Sequence, residues 1–432
     1  MKHVSKIYKN FLTVKELDKE LIALVGKEAI SIIGKSKNKH PILCGTIGHG
    51  KKNALLFGFP HPNEPVGSLT CLEWIKLVQA SEELQNTYTW HIVPCADPDG
   101  AKLNEGWFKG KFSIKKYVDN FYRQISDQTD WSFPMRYKDY TFNKPTKQTK
   151  ALMNLIEKTK PSLVYSLHNS SFSGAYFLQT KSINSSHFRA VEKACKQLDI
   201  PLHKGKPEVP FAKELHPSFY QLFGNKEEYE FLKKIKQNPL TSLIGGASSA
   251  EYAKQINKKS FSLVCEIPYL YDSALSNTKK TGTTKKEALT LQLDDNESVY
   301  NFLRERIVHK GINKQSNFYR VNKENIKILK GMVGSQKAMI ENIPNGKVTV
   351  AELFSSRVIN KFYRTLFLGE FKRLLLDSKK TKQRESLLTQ TNTLIKKRIR
   401  FINKHSNYRS IPIKNLIELQ IVYLQETIKN HA

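Results

Sequence analysis

No stretch of this 432-residue chain approaches the roughly 20 consecutive apolar residues that a membrane-spanning helix requires; the longest runs, such as residues 54–59, have the length of a strand. Residues 1–20 (MKHVSKIYKNFLTVKELDKE) are basic but lead into no apolar block, so no secretion signal is read there and a cytoplasmic location is expected. Cysteine is scarce. The five present (Cys44, Cys71, Cys95, Cys195 and Cys265) are odd in number, scattered and without a C-x-x-C pair. That argues against a disulfide framework or a zinc finger and for ordinary buried thiols. No repeat of fixed period and no RNA- or DNA-binding motif stands out, so no specific nucleic-acid partner is expected.

What is present suffices for a large catalytic core and a second module. Hydrophobic residues make up 39% and aromatics 10%, enough to bury a core and to exclude a wholly disordered chain. The formal net charge is +31, a field that favours acidic partners. Only 13 of the 70 basic residues are arginine, and the Lys-, Asn- and Ile-rich bias is equally the mark of composition, its lysines spread over solvated faces.

Apolar positions recur at helical spacing over residues 14–34, with Thr13 as N-cap. Strand-like runs follow at 41–47 and 54–59, then a helix at 66–84 and a strand at 88–94. The alternation continues with helices at 148–158 and 185–198 and strands at 162–167, 175–179 and 261–267. This pattern predicts an α/β fold: a mixed, mostly parallel central sheet with helices on both faces. After Asp272 the character changes. Residues 273–287 (SALSNTKKTGTTKKE) read as a basic linker or loop, and beyond them the periodicity is helical near 294–308, 322–340, 348–376, 384–404 and 411–429. The expected division is a catalytic domain over 1–275, a linker over 276–290 and a basic α-helical C-terminal region over 291–432. From Ser276 onward 31 Lys and Arg stand against 13 Asp and Glu, which makes that region the part suited to an acidic partner.

The sharpest local signal is ALLFGFPHPNEPVGS (54–68), where a short apolar strand is followed by His61 and Glu64 at H-x-x-E spacing in a tight turn. Zinc takes such nitrogen and oxygen donors, and a catalytic site needs a third protein donor and an open position. His168 supplies the third donor, directly after the apolar run 163–167 in LVYSLHNSSFSGAYF. PCADPDG (94–100) lies between these motifs, and FSLVCEIP (261–268) brings Glu266 afterwards, each at the end of a strand-like run. Carboxyl ends of strands are where α/β proteins build their sites.

This order resembles the zinc carboxypeptidase family, whose pattern is H-x-x-E, then N-P-D-G, then a strand-end histidine, then a late glutamate; it is most similar to bacterial members with an HPNEP-type first motif. The resemblance spans residues 40–275. It implies that His61, Glu64 and His168 hold one Zn²⁺ per chain and that Glu266 is the catalytic carboxylate, a general base toward water and then a proton donor to the departing amine. Flanked by Val264 and Ile267, Glu266 would be partly desolvated, with a raised pKa, while strand alternation turns Cys265 to the other face.

The family also uses arginines to hold the oxyanion and the substrate's terminal carboxylate. Here the resemblance offers Arg123 as the catalytic arginine with Asn120 as its partner, Arg136 as the alternative, and Lys109 and Lys111 as helpers. Two departures stand out. Ala96 replaces the asparagine of the second motif, and PLTSLIGGASS (239–249) lacks the substrate-closing tyrosine, leaving Tyr252 as the nearest substitute. Glu251 reads as a surface helix glutamate, or else as an acidic pocket residue. The implied activity is a metallocarboxypeptidase cutting the C-terminal bond of a peptide substrate. Two others stay open: a zinc amidase or deacylase of the same fold acting on acyl-amino acids or cell-wall-type peptides, and a basic nucleic-acid-binding protein with an inert peptidase-like half.

Overall fold

A computed structural model of the chain describes residues 4, 8–204, 207 and 209–431; part of the basic opening read for a secretion signal lies outside them. The chain divides into two compact units. The first comprises Met1–Phe108, Ile125–Tyr269 and Ile411–Ala432, the second Lys109–Gln124 and Leu270–Ser410.

The first turn of α1 (Val14–Val25) is fixed by a capping box in which Thr13 and Glu16 satisfy each other's backbone N–H groups. The helix ends at Val25, nine residues before the expected boundary, with Gly26 as its C-cap. The β-branched run beyond it forms strand β1 (Ile30–Lys35), antiparallel to β2 (Pro41–Ile47). Next come β3 (Lys52–Phe57), α2 (Val66–Gln79) and α3 (Glu82–Thr87). The single helix expected over 66–84 is broken where Ser81 caps a fresh start by accepting the Leu84 N–H. Strand β4 (Tyr88–Val93) is followed by α4 (Pro98–Asn104) and α5 (Ile114–Asn120). The segment Asp97–Gly100, whose Pro and Gly would also suit a turn, is a helix start: Asp97 is the N-cap of α4 and Pro98 its first residue. Then follow the small hairpin β5 (Met135–Tyr137) and β6 (Tyr140–Phe142), α6 (Lys147–Thr159), β7 (Leu163–Ser166), β8 (Asn169–Phe172), β9 (Tyr176–Gln179) and α7 (Ser185–Gln197). Strands β10 (Glu214–His216) and β11 (Phe219–Gln221), helices α8 (Asn225–Lys234), α9 (Pro239–Ser242) and α10 (Ser249–Ile256), and strand β12 (Phe261–Tyr271) complete this stretch.

The main sheet has the order β1-β2-β4-β3-β7-β12-β9-β11-β10. The pairings make β4, β3, β7 and β12 a parallel centre, and six of the nine strands on this path run the same way among the described residues. Helices cover both faces, as expected. The centre is dry: Ala54, Leu55, Leu56 and Phe57 of β3 are fully buried, the uninterrupted apolar run that a strand covered on both faces requires.

The chain returns to this unit with its last described helix. Beyond β12 come β13 (Lys280–Thr284), α11 (Lys285–Arg306), α12 (Asn317–Glu341), β14 (Lys347–Thr349), α13 (Val350–Phe354), α14 (Asn360–Leu376), α15 (Lys382–Lys404), β15 (Arg409–Ser410) and α16 (Ile413–His431). The expected linker is structured. Strand β13 pairs antiparallel with β14, and Thr284 and Glu287 form a capping box that starts α11. Helix α16, expected to belong with the other C-terminal helices, falls in the first unit and is buried from Leu416 to Leu424.

Within the second unit a turn of π-helix (Ser355–Ile359) separates α13 from α14. A buried ion pair joins its helices. Arg398 of α15 grips Asp295 of α11 with both guanidinium nitrogens, at 2.9 and 2.8 Å, and Asn360 adds a third hydrogen bond at 3.0 Å.

Candidate metal centre

Strands β3 and β7 are adjacent and parallel, with Phe57 opposite Ser166, so both deliver their following residues to the same edge of the sheet. The chain leaves β3 for β4 on one side and reaches β7 on the other, which makes this edge a topological switch point. His61 and Glu64 follow β3; His168 follows β7. Glycine permits the close approach of these segments. A Cβ on Gly58 would lie 2.6 Å from the Ser68 nitrogen, and one on Gly67 would lie 2.5 Å from the Leu167 Cβ. Phe59, buried in the ligand-bearing loop, takes a φ of 53°, an uncommon strain for a non-glycine residue, and such strain gathers at functional sites.

The three side chains meet. His61 Nδ1 is 2.8 Å from Glu64 Oε1 and His168 Nδ1 is 3.1 Å from Glu64 Oε2, the imidazole centroids standing 4.7 Å apart. All donor atoms lie within 4.8 Å of one another, and the residues are only 2–4% exposed. Two imidazoles and a carboxylate are a donor set that suits zinc and leaves one position open. Burial would raise the Glu64 carboxyl, but the two imidazoles outweigh it and hold it well below its usual range.

Register places the fourth group. Val264 of β12 lies opposite Ser166, so Glu266, two residues on, reaches the level of His168. Its Oε1 is 3.6 Å from His168 Nδ1, and its side chain remains 15% exposed at the mouth of the cluster. Cys265 points the other way and is fully buried, as alternation requires.

Three residues that the sequence reading passed over secure this arrangement. Asp130, 3% exposed, lies 3.1 Å from His168 Nε2 and accepts hydrogen bonds from the Ser166 hydroxyl (2.6 Å) and the Ser249 N–H (2.7 Å). A carboxylate on the far ring nitrogen fixes the tautomer and orientation of a ligating histidine. Burial alone would lower the His168 pKa; Asp130 and Glu64 together lift it to about 10. Asn169 donates its N–H to Glu64 Oε2 and accepts the Val66 N–H with its side-chain oxygen, both at 3.3 Å. It thereby caps α2, which has no side-chain cap of its own. Gln420 of α16 donates to the His168 carbonyl (2.8 Å) and accepts the Thr70 hydroxyl of α2 (2.6 Å). A polar neighbour beside His168 was a signal for Asn169. Nothing in the local sequence marks Asp130 or Gln420.

The expected substrate residues make other contacts. Tyr252 packs on Phe133 in the apolar core and its hydroxyl donates to Glu157, so it has no free phenol to close over a substrate. Arg136 is exposed on β5, and no described contact joins it to the cluster. Asn120 donates its side-chain amide back to the Lys116 carbonyl of its own helix (2.9 Å). Arg123 belongs to the second unit, where its backbone N–H donates to Glu370 Oε1 at 2.9 Å. Glu251 closes a capping box with Ser248 at the start of α10.

The family profile described as zinc carboxypeptidase matches residues 28–204. That stretch is similar to the zinc carboxypeptidase family. The match covers less than half of the chain; it contains His61, Glu64 and His168 and stops before Glu266. No curated protein matches the chain in sequence. Among solved structures, a candidate metallopeptidase from Shewanella amazonensis is 11% identical with a TM-score of 0.41, over 59% of this chain and 84% of that one. A second, from Shewanella denitrificans, is 12% identical with a TM-score of 0.40, over 59% and 81%. Carboxypeptidase A from Helicoverpa armigera is 14% identical with a TM-score of 0.37, over 60% and 65%. The first unit thus carries a zinc-hydrolase domain, and among the described residues no helix is long and apolar enough to cross a membrane.

Proposed function

We propose that this chain is a zinc-dependent metallocarboxypeptidase, hydrolysing the C-terminal peptide bond of peptides with Glu266 as general base. The observation that carries the reading is the convergence of His61, Glu64 and His168 with Glu266 at one sheet edge, its carboxylate 3.6 Å from the His168 ring nitrogen. Zinc held by the three buried side chains would polarise the scissile carbonyl and acidify water. Glu266, beside the cluster and still in reach of solvent, takes the proton of the attacking water and passes it to the departing amine. Asp130 and Asn169 hold the donors in place, so that little reorganisation is needed during the reaction.

One observation favours a second reading, an amidase or deacylase of the same architecture. The first unit contains two arginines, Arg136 and Arg189, and both are exposed, so it offers no guanidinium inside the centre to grip a terminal carboxylate. The decisive assay compares free-acid and amidated forms of one peptide series by mass spectrometry, in the wild type and in Glu266→Gln. Carboxypeptidase action removes single C-terminal residues from free acids only, and Glu266→Gln slows it by about 10²–10⁴-fold with zinc retained. Equal cleavage of both forms supports the amidase instead. An unchanged rate in Glu266→Gln defeats both.

A further inference from the structure

The second unit carries 34 Lys and Arg against 13 Asp and Glu, a net charge of +21 in its two segments. Most of these charges are spread over exposed helix faces. A few are not. Helices α5, α14 and α15 enclose a cleft of about 340 Å³ whose walls bring Lys115, Lys372, Lys396 and Arg400 around one carboxylate, Asp119.

The cleft is unevenly satisfied. Asp119 is taken by two of the cations, Lys115 and Lys372, the latter at 2.8 Å, and the attraction holds its carboxyl below the usual range despite partial burial. Lys396 and Arg400 lie one turn apart on α15, both exposed, and neither has a carboxylate partner among the described residues. The lining is also apolar in part: Ile395 is buried and Ile399 half-buried. Asn392, also in the lining, offers both a donor and an acceptor to a peptide backbone.

We propose that this cleft is a docking site for a short acidic peptide segment, in which an aliphatic side chain lies on Ile399 while flanking carboxylates meet Lys396 and Arg400. Charge complementarity selects the acidic groups, since a guanidinium fork takes a carboxylate through two parallel hydrogen bonds and a neighbouring ammonium adds a point charge. The apolar lining selects peptide over nucleic acid. Single strands bind by stacking bases on aromatic rings, and no aromatic side chain lines the cleft. The site is separate from the zinc cluster and does not depend on any reading of the reaction.

Fluorescence anisotropy on the full chain tests this. The probes are a labelled, C-amidated peptide with glutamates flanking leucine, its glutamine counterpart, and a single-stranded oligonucleotide of equal charge; mass spectrometry checks that each peptide stays intact. The glutamate peptide should bind, and the Lys396→Gln/Arg400→Gln double variant should weaken it about 10-fold, as expected for two partly exposed charge contacts. A control, Lys323→Gln/Lys327→Gln on the exposed face of α12, removes the same charge away from the cleft and should leave affinity within twofold. Ile399→Gln should weaken the leucine peptide but not a variant with alanine in place of leucine. Equal losses in the two double variants would reduce the effect to net charge and overturn the proposal. So would failure of the glutamate peptide to bind, or tighter oligonucleotide binding lost in Lys396→Gln/Arg400→Gln.

Discussion

Replacing Asp130 by asparagine is the most telling perturbation of the centre, because it changes a proton position and almost nothing else. The wild-type carboxylate accepts from Ser166 and from the Ser249 N–H and faces His168 Nε2 at 3.1 Å, which leaves Nδ1 of that ring, 3.1 Å from Glu64, as the nitrogen with a lone pair to give. An amide that keeps its oxygen on Ser249 turns its NH₂ toward Nε2. The imidazole then becomes an acceptor at Nε2 and carries its proton on Nδ1, where a cation would sit. Losing such a partner costs about 10–100-fold in metal affinity, or about 1.4–2.8 kcal/mol. Asp130→Ala should cost affinity similarly and, by stranding the buried Ser249 N–H and leaving the Ser166 hydroxyl only His168 Nε2, also destabilise the metal-free fold by about 1–3 kcal/mol. Zinc competition against a chromophoric chelator reads the first quantity, and urea denaturation of chelator-treated protein reads the second. If Asp130→Asn binds zinc within twofold of the wild type, Asp130 does not orient His168 for a metal.

Gln420→Ala should lower stability by about 1–3 kcal/mol, because it leaves the His168 carbonyl buried without that donor and the Thr70 hydroxyl with only the Val66 carbonyl; the urea midpoint reports it. Burial raises the Glu370 carboxyl to about 8, with the Arg123 N–H, Asn325 and Arg373 only partly offsetting it. The folded state therefore keeps a proton that the unfolded chain has released above its ordinary value, and stability falls as pH rises from about 4.5 to about 8, by up to about 1.4 kcal/mol per unit. Glu370→Gln should remove that share of the slope between pH 5 and 8 in urea titrations, and parallel slopes for both proteins would contradict it. Asp295→Ala should cost about 3–5 kcal/mol by leaving Arg398 buried and unpaired, whereas Asp295→Leu/Arg398→Met should recover part of that loss in the same assay, the Asn360 amide and Lys361 remaining without their carboxylate.

Much of the catalytic unit was legible because apolar runs and strand ends are local signals. The apolar run at 54–57 forms most of β3, and the two polar motifs after β3 and β7 meet because those strands are neighbours. The run from Ile30 to Gly34 reads as helix in the sequence because its apolar positions continue the helical spacing of α1; Gly26 and the β-branched isoleucines decide for a strand. The residues that orient the cluster were hidden for a different reason. Asp130 and Gln420 reach His168 from 38 and 252 residues away, and no spacing rule connects such positions before the fold is known. The substrate arginine and tyrosine were sought by motif distance alone, and Tyr252 shows how this fails: a phenol near the right place in sequence serves the core instead.

The placement of α16 bears on how the molecule comes into being. During synthesis the zinc-binding segments emerge early, yet the helix that fastens the His168 carbonyl to α2 follows only after the whole basic helical unit has been made. A nascent chain therefore holds an incomplete centre until α16 has been made, and contacts spanning such separations form slowly.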